Sequence, residues 1–449
     1  MDQLMIGVSG IRGIVGSALL PEMALKFAQS FGTFAGGGRV VLARDTRTTG
    51  EMLARAVSAG LMAAGCDVID IGIAATPTCS LMVDKHRASG GVMISASHNP
   101  PEWNGLKFFG RDARFLDTDS GNKVVDIFKN STAECRDYRG VGAFSTDATA
   151  GEYHVEKVLG ILDVDAIKAK GFTVLLDANH GAGGAYTPML LERLGCEAVL
   201  VGGEPDGQFA HPPEPTAAHL KDVCGMVKDK CADVGFAQDP DADRLAVIDE
   251  TGTYIGEEYS LALAAAHVMA TKAGPAVANL STSRMIDDIA ARHNQQVLRT
   301  PVGEAHVAQG MVNSGAVVGG EGNGGVMDPR VHPARDSLVG MGLILESLAR
   351  TGKTVSGLVS DLPKYMMEKI KIDCPRAAAE AVFAALDDAF GDARRNTDDG
   401  IRYDWDDAWV HVRLSNTEPV MRLIAEAGTV GRLEELLGKA RTLAQEIVG

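Results

Sequence analysis

The stretch Gly91-Val92-Met93-Ile94-Ser95-Ala96-Ser97-His98-Asn99-Pro100-Pro101 decides how this chain reads. Its apolar start has the character of a buried strand. Small and polar residues end that strand abruptly, and the two prolines exclude helical or ladder continuation at that point. Ser97 is left on a loop at a strand end, with an imidazole beside it and a backbone that an anion can approach. Strand ends are where α/β proteins place their chemistry. Alone, the stretch would serve as a plain strand-to-turn junction; three further clusters change its meaning.

Around it, strand and helix patterns alternate. Arg39 to Ala43 and Asp67 to Ile71 are strand-like, and Met52 to Ala64 carries apolar residues at helical spacing. The polar run Ser145 to Ala150 marks a boundary. A second unit holds a helix to about Leu162, the strand Thr173 to Leu176, the segment Asp177 to Gly184 opening a helix, and the strand Leu245 to Ile248. A third begins at Glu257 with an Ala/Leu-rich helix that Gly274-Pro275 ends. The strand Ala276 to Leu280 follows, and Ser281 to Arg284 cap a further helix. The last segment has a helix from Arg376 to Phe390, alternating strands Ala408 to Leu414 and Val420 to Glu426, and a final helix. These patterns predict four domains: three similar α/β domains over 1–150, 151–255 and 256–365, then a smaller C-terminal α+β domain over 366–449.

A chain of 449 residues is too long for one hydrophobic core. Its 43 basic against 59 acidic residues give a formal charge of −16, which argues against nucleic acid or an anionic membrane as partner. An anionic ligand must therefore be met by local positive charge, so arginines within glycine loops carry weight. The seven cysteines form no C-x-x-C pair and read as small buried hydrophobes in a reducing compartment. No apolar run approaches the roughly 18 residues of a membrane span, and the start lacks a signal peptide's basic and apolar regions. A cytoplasmic location is expected.

Asp239-Pro240-Asp241-Ala242-Asp243-Arg244 puts three carboxylates at alternate positions in an extended loop between apolar strands. Hard oxygen ligands on one side suit Mg²⁺, and such crowding is costly without a cation. An EF-hand is excluded, because its glycine position holds Arg244 and a strand follows. In Gly319-Gly320-Glu321-Gly322-Asn323-Gly324-Gly325, five glycines surround an acid and an amide. This suits sugar hydroxyls, which need donors and acceptors at close backbone approach, and equally suits a plain glycine turn. Arg413-Leu414-Ser415-Asn416-Thr417-Glu418-Pro419 joins a guanidinium, hydroxyls, an amide and exposed N–H groups in a turn between strands, which suits a phosphate nest more than the alternative, an ordinary hairpin with an exposed Arg. Arg12 within Ser9-Gly10-Ile11-Arg12-Gly13, Arg44 to Arg47, and Lys107 are weaker signals; each alone reads as a surface charge.

In this order the clusters resemble the α-D-phosphohexomutase superfamily of phosphoglucosamine mutases, phosphomannomutases and phosphoglucomutases, along the whole chain and one loop per domain. The resemblance implies an active site in the central cleft between the domains, where Ser97 carries the transferable phosphoryl group as phosphoserine and binds Mg²⁺ together with Asp239, Asp241 and Asp243. It places Arg244 beside the phosphoserine and Glu321 and its loop, including Asn323, on the sugar. Arg413, Ser415, Asn416 and Thr417 would hold the phosphate that is not transferred. Arg12, His98 and Lys107 become candidates for acid/base or charge-stabilising roles. Related sugar loops carry a Ser and a His that Gly322 to Gly325 lack, while the serine loop is similar to the glucosamine branch and Asn416 to others. The expected activity interconverts hexose 6-phosphate and hexose 1-phosphate through a bisphosphorylated sugar. Glucosamine phosphate leads as substrate, with mannose or glucose phosphate as the alternative. A Mg²⁺-dependent phosphatase and a non-catalytic sugar-phosphate sensor are the rivals.

Overall fold

The computed structural model describes residues 4–7, 10–415 and 419–448. Ser9, Asn416 and Thr417 lie outside the described residues. The chain forms four sheets. The first contains β1 (Met5–Gly7), β2 (Gly10–Ile14), β3 (Gly38–Arg44), β4 (Cys66–Ile73), β5 (Gly90–Ile94), β6 (Trp103–Phe109) and β7 (Phe144–Thr146), in the order β1-β2-β6-β5-β3-β4-β7. Val40 and Leu42 face one core with Phe27, Phe31 and Leu53, while Val41 and Ala43 face the other with Met82 and Val83. A strand covered on both faces must be apolar throughout, which is why these strands read as continuous runs.

The second sheet holds β8 (Thr173–Asp177), β9 (Glu197–Val201), β10 (Val234–Gln238) and β11 (Leu245–Ile248), and the third β12 (Ala276–Asn279), β13 (Val297–Thr300), β14 (Val318–Glu321) and β15 (Gly325–Met327). In each of the first three sheets a parallel strand turns straight back into an antiparallel one: β5 into β6, β10 into β11, and β14 into β15. The serine, acidic and glycine-rich clusters are the three loops at these equivalent turns. The fourth sheet is fully antiparallel: β16 (Met366–Asp373), β17 (Arg394–Asn396), β18 (Ile401–Asp404), β19 (Ala408–Leu414) and β20 (Val420–Ala427). Its Arg413 loop also joins neighbouring strands.

Several expectations are refined. The helix expected to open at Asp177–Gly184 is a short 3₁₀ turn, Ala182–Ala185, followed by the helix Thr187–Arg193. The C-terminal domain has five strands rather than two. Of the seven cysteines, all free thiols, only Cys66, Cys79 and Cys374 are buried, and Cys135 and Cys231 are exposed. No helix among the described residues is long and apolar enough to cross a membrane.

The second and third sheets share one continuous core, from Val174 and Phe236 through the wholly buried face of the helix Ser337–Thr351 to Leu261 and Val318. The C-terminal domain has a core of its own.

Candidate active site

Ser97 is held by its backbone before its side chain does anything. Its φ of 51° lies in the left-handed region, and its N–H donates to Ser95 Oγ at 2.8 Å. The carbonyls of this loop converge on Arg47, which is 2% exposed. Arg47 Nη2 donates to Ser97 O and Asn99 O at 2.6 Å each, and Nη1 to Pro100 O at 2.6 Å and Trp103 O at 3.0 Å. Nε pairs with buried Asp45 at 3.1 Å. Every donor of the guanidinium is used, and Phe209 stacks over it at 5.3 Å. Arg47 is therefore the buried frame of the serine loop, not the surface charge its sequence context suggested.

Ser97 Oγ, so fixed, donates to Asp239 Oδ2 at 2.9 Å and lies 3.3 Å from His98 Nδ1. The acidic loop turns tightly: Ala242 has φ 53° and donates its N–H to Asp239 O at 2.9 Å. The N–H groups of Asp243 and Arg244 both donate to Asp239 Oδ1 at 3.1 Å. Asp239, Asp241 and Asp243 are fully buried and present one oxygen each within 4.8 Å of one another. Asp241 Oδ1 and Asp243 Oδ1 are buried without a hydrogen-bond partner. Orphaned carboxylate oxygens beside a third acid form an all-oxygen donor set that fits Mg²⁺.

Cations surround the triad. Lys107 Nζ contacts Asp241 Oδ2, stands 3.5 Å from Asp243 Oδ2, and donates to Thr76 Oγ1 at 3.3 Å. Thr76 donates its hydroxyl to Asp241 Oδ2 and its N–H to Asp241 O, joining the first domain to the acidic loop. Burial would raise the Asp241 carboxyl, but Lys107 and Thr76 outweigh it and hold it below the usual range. The same pairing overcomes burial at Lys107 and keeps it an ammonium. Asp239 goes the other way: burial, then repulsion from Asp243 and Asp241, push it well above a normal carboxylate. His98 is pushed down to about 2 by burial and by nearby Arg244 and Arg12. Arg12 itself donates to Asn99 Oδ1 at 2.9 Å.

These loops open on a cleft of about 1140 Å³ that Arg12, Lys107, Arg244, Arg335 and Arg422 line with positive charge, although the chain as a whole is strongly acidic. Glu321 is buried; Oε1 accepts from Asn279 Nδ2 at 2.7 Å and from Gly303 N–H at 3.1 Å, and Oε2 from Arg335. Asn323 lines the cleft with its Oδ1 unpartnered. Arg413 Nε stands 3.0 Å from Asp399 Oδ2, an ion-pair distance, without the alignment of a hydrogen bond. Ser415 is buried next to it, and Arg422 is Arg413's direct cross-strand neighbour and lines the cleft.

Four families, described as phosphoglucomutase/phosphomannomutase alpha/beta/alpha domains I, II and III and C-terminal domain, match residues 3–134, 152–252, 257–365 and 370–442 in turn. The chain belongs to this family of α-D-phosphohexomutases. It is 38% identical to a phosphoglucomutase/phosphomannomutase of Thermococcus kodakarensis, over 98% of each chain. It is 36% identical to a protein of Methanopyrus kandleri named "Probable phosphoglucosamine mutase", over 96% of this chain and 95% of that one. The fold matches a crystal structure of a phosphoglucomutase/phosphomannomutase family protein from Burkholderia thailandensis with a TM-score of 0.87 and 27% identity, covering 99% of both chains.

In this phosphohexomutase, Ser97, His98, Lys107, Arg12, the three aspartates, Arg244, Glu321 and Asn323 come together around the cleft, while Arg413 pairs across the hairpin with Arg422, which lines it. Sequence reasoning missed Thr76, Arg335 and Arg422. Thr76 and Arg335 left no signal, being single residues in ordinary loop and helix-start contexts. Arg422 was accessible from register: two residues facing one another across a short hairpin share a sheet face.

Proposed function

We propose that this phosphohexomutase moves a phosphoryl group between O6 and O1 of a hexose by way of phosphorylated Ser97, with glucosamine phosphate favoured and mannose or glucose phosphate accepted. The observation that carries this reading is Ser97 Oγ, 2.9 Å from Asp239 Oδ2, beside two orphaned carboxylate oxygens. A buried hydroxyl aimed at a cation site has little purpose in a pure binder.

In the forward step the Oγ–P bond of phosphoserine breaks as a P–O bond forms to the sugar hydroxyl, and the hydroxyl proton leaves. His98, uncharged and next to Ser97, is the candidate acceptor; a phosphoryl dianion on Ser97 would offset Arg12 and Arg244 and make it more basic. The resulting bisphosphate turns over in the cleft, and its other O–P bond breaks as that phosphoryl group returns to Oγ, the freed sugar oxygen taking back the proton that His98 had accepted. Mg²⁺ held by Asp239, Asp241, Asp243 and the phosphoserine would neutralise charge on the transferring group. Lys107, kept protonated by Asp241, adds fixed positive charge where it develops. Arg244 faces the same group. Arg413, Ser415, Asn416 and Thr417 hold the other phosphate, and Glu321 and Asn323 meet the hydroxyls. Glu321 already accepts three hydrogen bonds from protein donors, which leaves one site on Oε2 for a sugar hydroxyl, and Asn323 adds an unpartnered Oδ1. A site that leaves few groups unpaired when the sugar changes rejects other sugars weakly.

Isomerisation of glucosamine, mannose and glucose 6-phosphates, assayed side by side, tests the reading. The expected result is turnover of all three within about two orders of magnitude in kcat/KM, no release of inorganic phosphate, loss of activity in chelator and recovery with Mg²⁺. Ratios above about 10⁴ would show that selectivity is set elsewhere in the cleft. Stoichiometric phosphate release would show hydrolysis instead.

A further inference from the structure

The sugar loop and the metal loop meet on a side chain that belongs to neither. Arg335 follows β15, is 8% exposed, and divides its guanidinium among three acids. Nη2 donates to Asp243 Oδ2 at 2.7 Å, Nη1 to Glu321 Oε2 at 3.0 Å, and Nε to Glu304 Oε2 at 3.0 Å. Its backbone N–H returns to Glu304 Oε1 at 3.0 Å. The three acids come from the β10–β11 loop, the end of β14 and the first turn of the helix Glu304–Ser314. The planar fork spans them as a lysine's point charge cannot.

The stem takes a route that one glycine leaves open. A Cβ at Gly325 would lie 2.2 Å from Arg335 Cδ and 2.8 Å from Cγ, in the middle of a side chain anchored at its far end. Gly325 is therefore clearance for Arg335. The anchoring has a consequence on each side. With Oε2 on Arg335 and Oε1 on Asn279 and Gly303, the Glu321 carboxylate cannot rotate. With Oδ2 of Asp243 taken, Oδ1 is left as the oxygen offered to a cation.

We propose that Arg335 is a positioning residue that sets Glu321 and Asp243 together, so that sugar recognition and metal binding depend on one guanidinium threaded past Gly325. This rests on the reading that Glu321 meets the sugar and that Asp239, Asp241 and Asp243 hold the metal. A residue that only stabilised the fold would lower the melting temperature and the active fraction, and would move neither KM nor the metal constant.

The test uses full-length wild type, Arg335→Lys, Gly325→Ala, Glu321→Gln and Asp239→Asn, with thermal unfolding as the check on folding. KM and kcat are measured on glucosamine 6-phosphate, and the Kd of Mg²⁺ alone by calorimetry. Arg335→Lys keeps the charge and should raise both KM and the Mg²⁺ Kd by about tenfold, the scale of a lost charge-assisted contact. Gly325→Ala keeps the guanidinium but displaces it, and should move both constants the same way by about threefold; it carries the test if Arg335→Lys does not fold. Glu321→Gln should raise KM alone, and Asp239→Asn should weaken Mg²⁺. If these two controls respond while Arg335→Lys and Gly325→Ala leave either constant within about twofold of wild type, the proposal is wrong. If the controls themselves leave both constants unmoved, the underlying reading of the two loops falls, and the proposal with it.

Discussion

The joint between the second and third domains and the joint between the third and fourth are built from different materials. The first is a single apolar core running through both sheets. The second is polar: Ser281 Oγ meets His411 Nδ1 at 2.9 Å, Arg284 N–H donates to Glu426 at 2.9 Å, Val302 N–H to Asp399 at 3.0 Å, and Lys369 pairs with Glu257 at 2.6 Å. Separating a shared core exposes apolar surface at roughly 25 cal/mol per Å², whereas water can replace the hydrogen bonds of a polar joint at small net loss once it opens. The acidic and glycine-rich loops ride on the welded part and the Arg413 loop on the separately cored part. Transfer chemistry needs groups held to a fraction of an ångström. Holding either end of a sugar that turns over between two transfers needs a grip that can yield.

The largest effect should come from the serine loop, which hydrogen-bonds the acidic loop of the welded part. Ser97→Ala is expected to lower kcat by at least about 10⁴-fold and to abolish a phosphate adduct seen by intact-mass analysis, while the fold is kept; near-full activity would remove Ser97 from the mechanism. On the yielding side, Arg413→Ala should raise KM in both reaction directions at a cost of about 2–5 kcal/mol, with kcat changing less. An unchanged KM in both directions would leave Arg413 a hairpin residue and erase the contrast.

The polar joint should also respond to acid. His411 is buried between Ser281 and the Asp399 carbonyl, with Arg402 and Arg413 near, and its pKa falls to about 4, chiefly by burial. The folded pKa is below the ordinary value of about 6.5, so below that pH the unfolded chain binds a proton that the folded one refuses. Stability is therefore lost as pH falls from about 6.5 to 4, by up to about 3 kcal/mol. Trp405 and Trp409 report on this domain by fluorescence. His411→Gln should flatten the pH dependence of their transition, and an identical slope with and without the imidazole would contradict the assignment. The smallest effect is expected at the sugar loop: Asn323→Ala should lower kcat/KM about tenfold for every hexose phosphate and leave Mg²⁺ binding unchanged. A loss confined to one sugar would make this loop the selector.

The contrast also bears on what could be read from the chain. The strand-end loops were legible because each follows a continuous apolar run and breaks into glycine, proline or acid within a few residues. β6 was hidden by Pro100-Pro101, which sit just before it and mask the return of the chain into the sheet. β16 was hidden because Glu368 interrupts the face that Met366, Ile370 and Ile372 turn to the C-terminal core, so its alternation is short and only half-buried. Arg47 and Arg335 escaped because a buried arginine is defined by the carbonyls and carboxylates that converge on it. Those come from positions up to 56 and 92 residues away, and no local pattern records them.

The backbone at Ser97 limits how this position can drift over evolutionary time. At a φ of 51° glycine is comfortable, asparagine and aspartate are tolerated, and a β-branched side chain is a genuine outlier. Glycine and asparagine offer no oxygen that can be phosphorylated, aspartate would form an acyl phosphate rather than a phosphate ester, and threonine, the other aliphatic alcohol among the standard residues, is the one the geometry rejects. Serine is thus left with no close substitute. A lineage that loses it would have to rebuild the loop around Arg47 before it could recover an alcohol at this site.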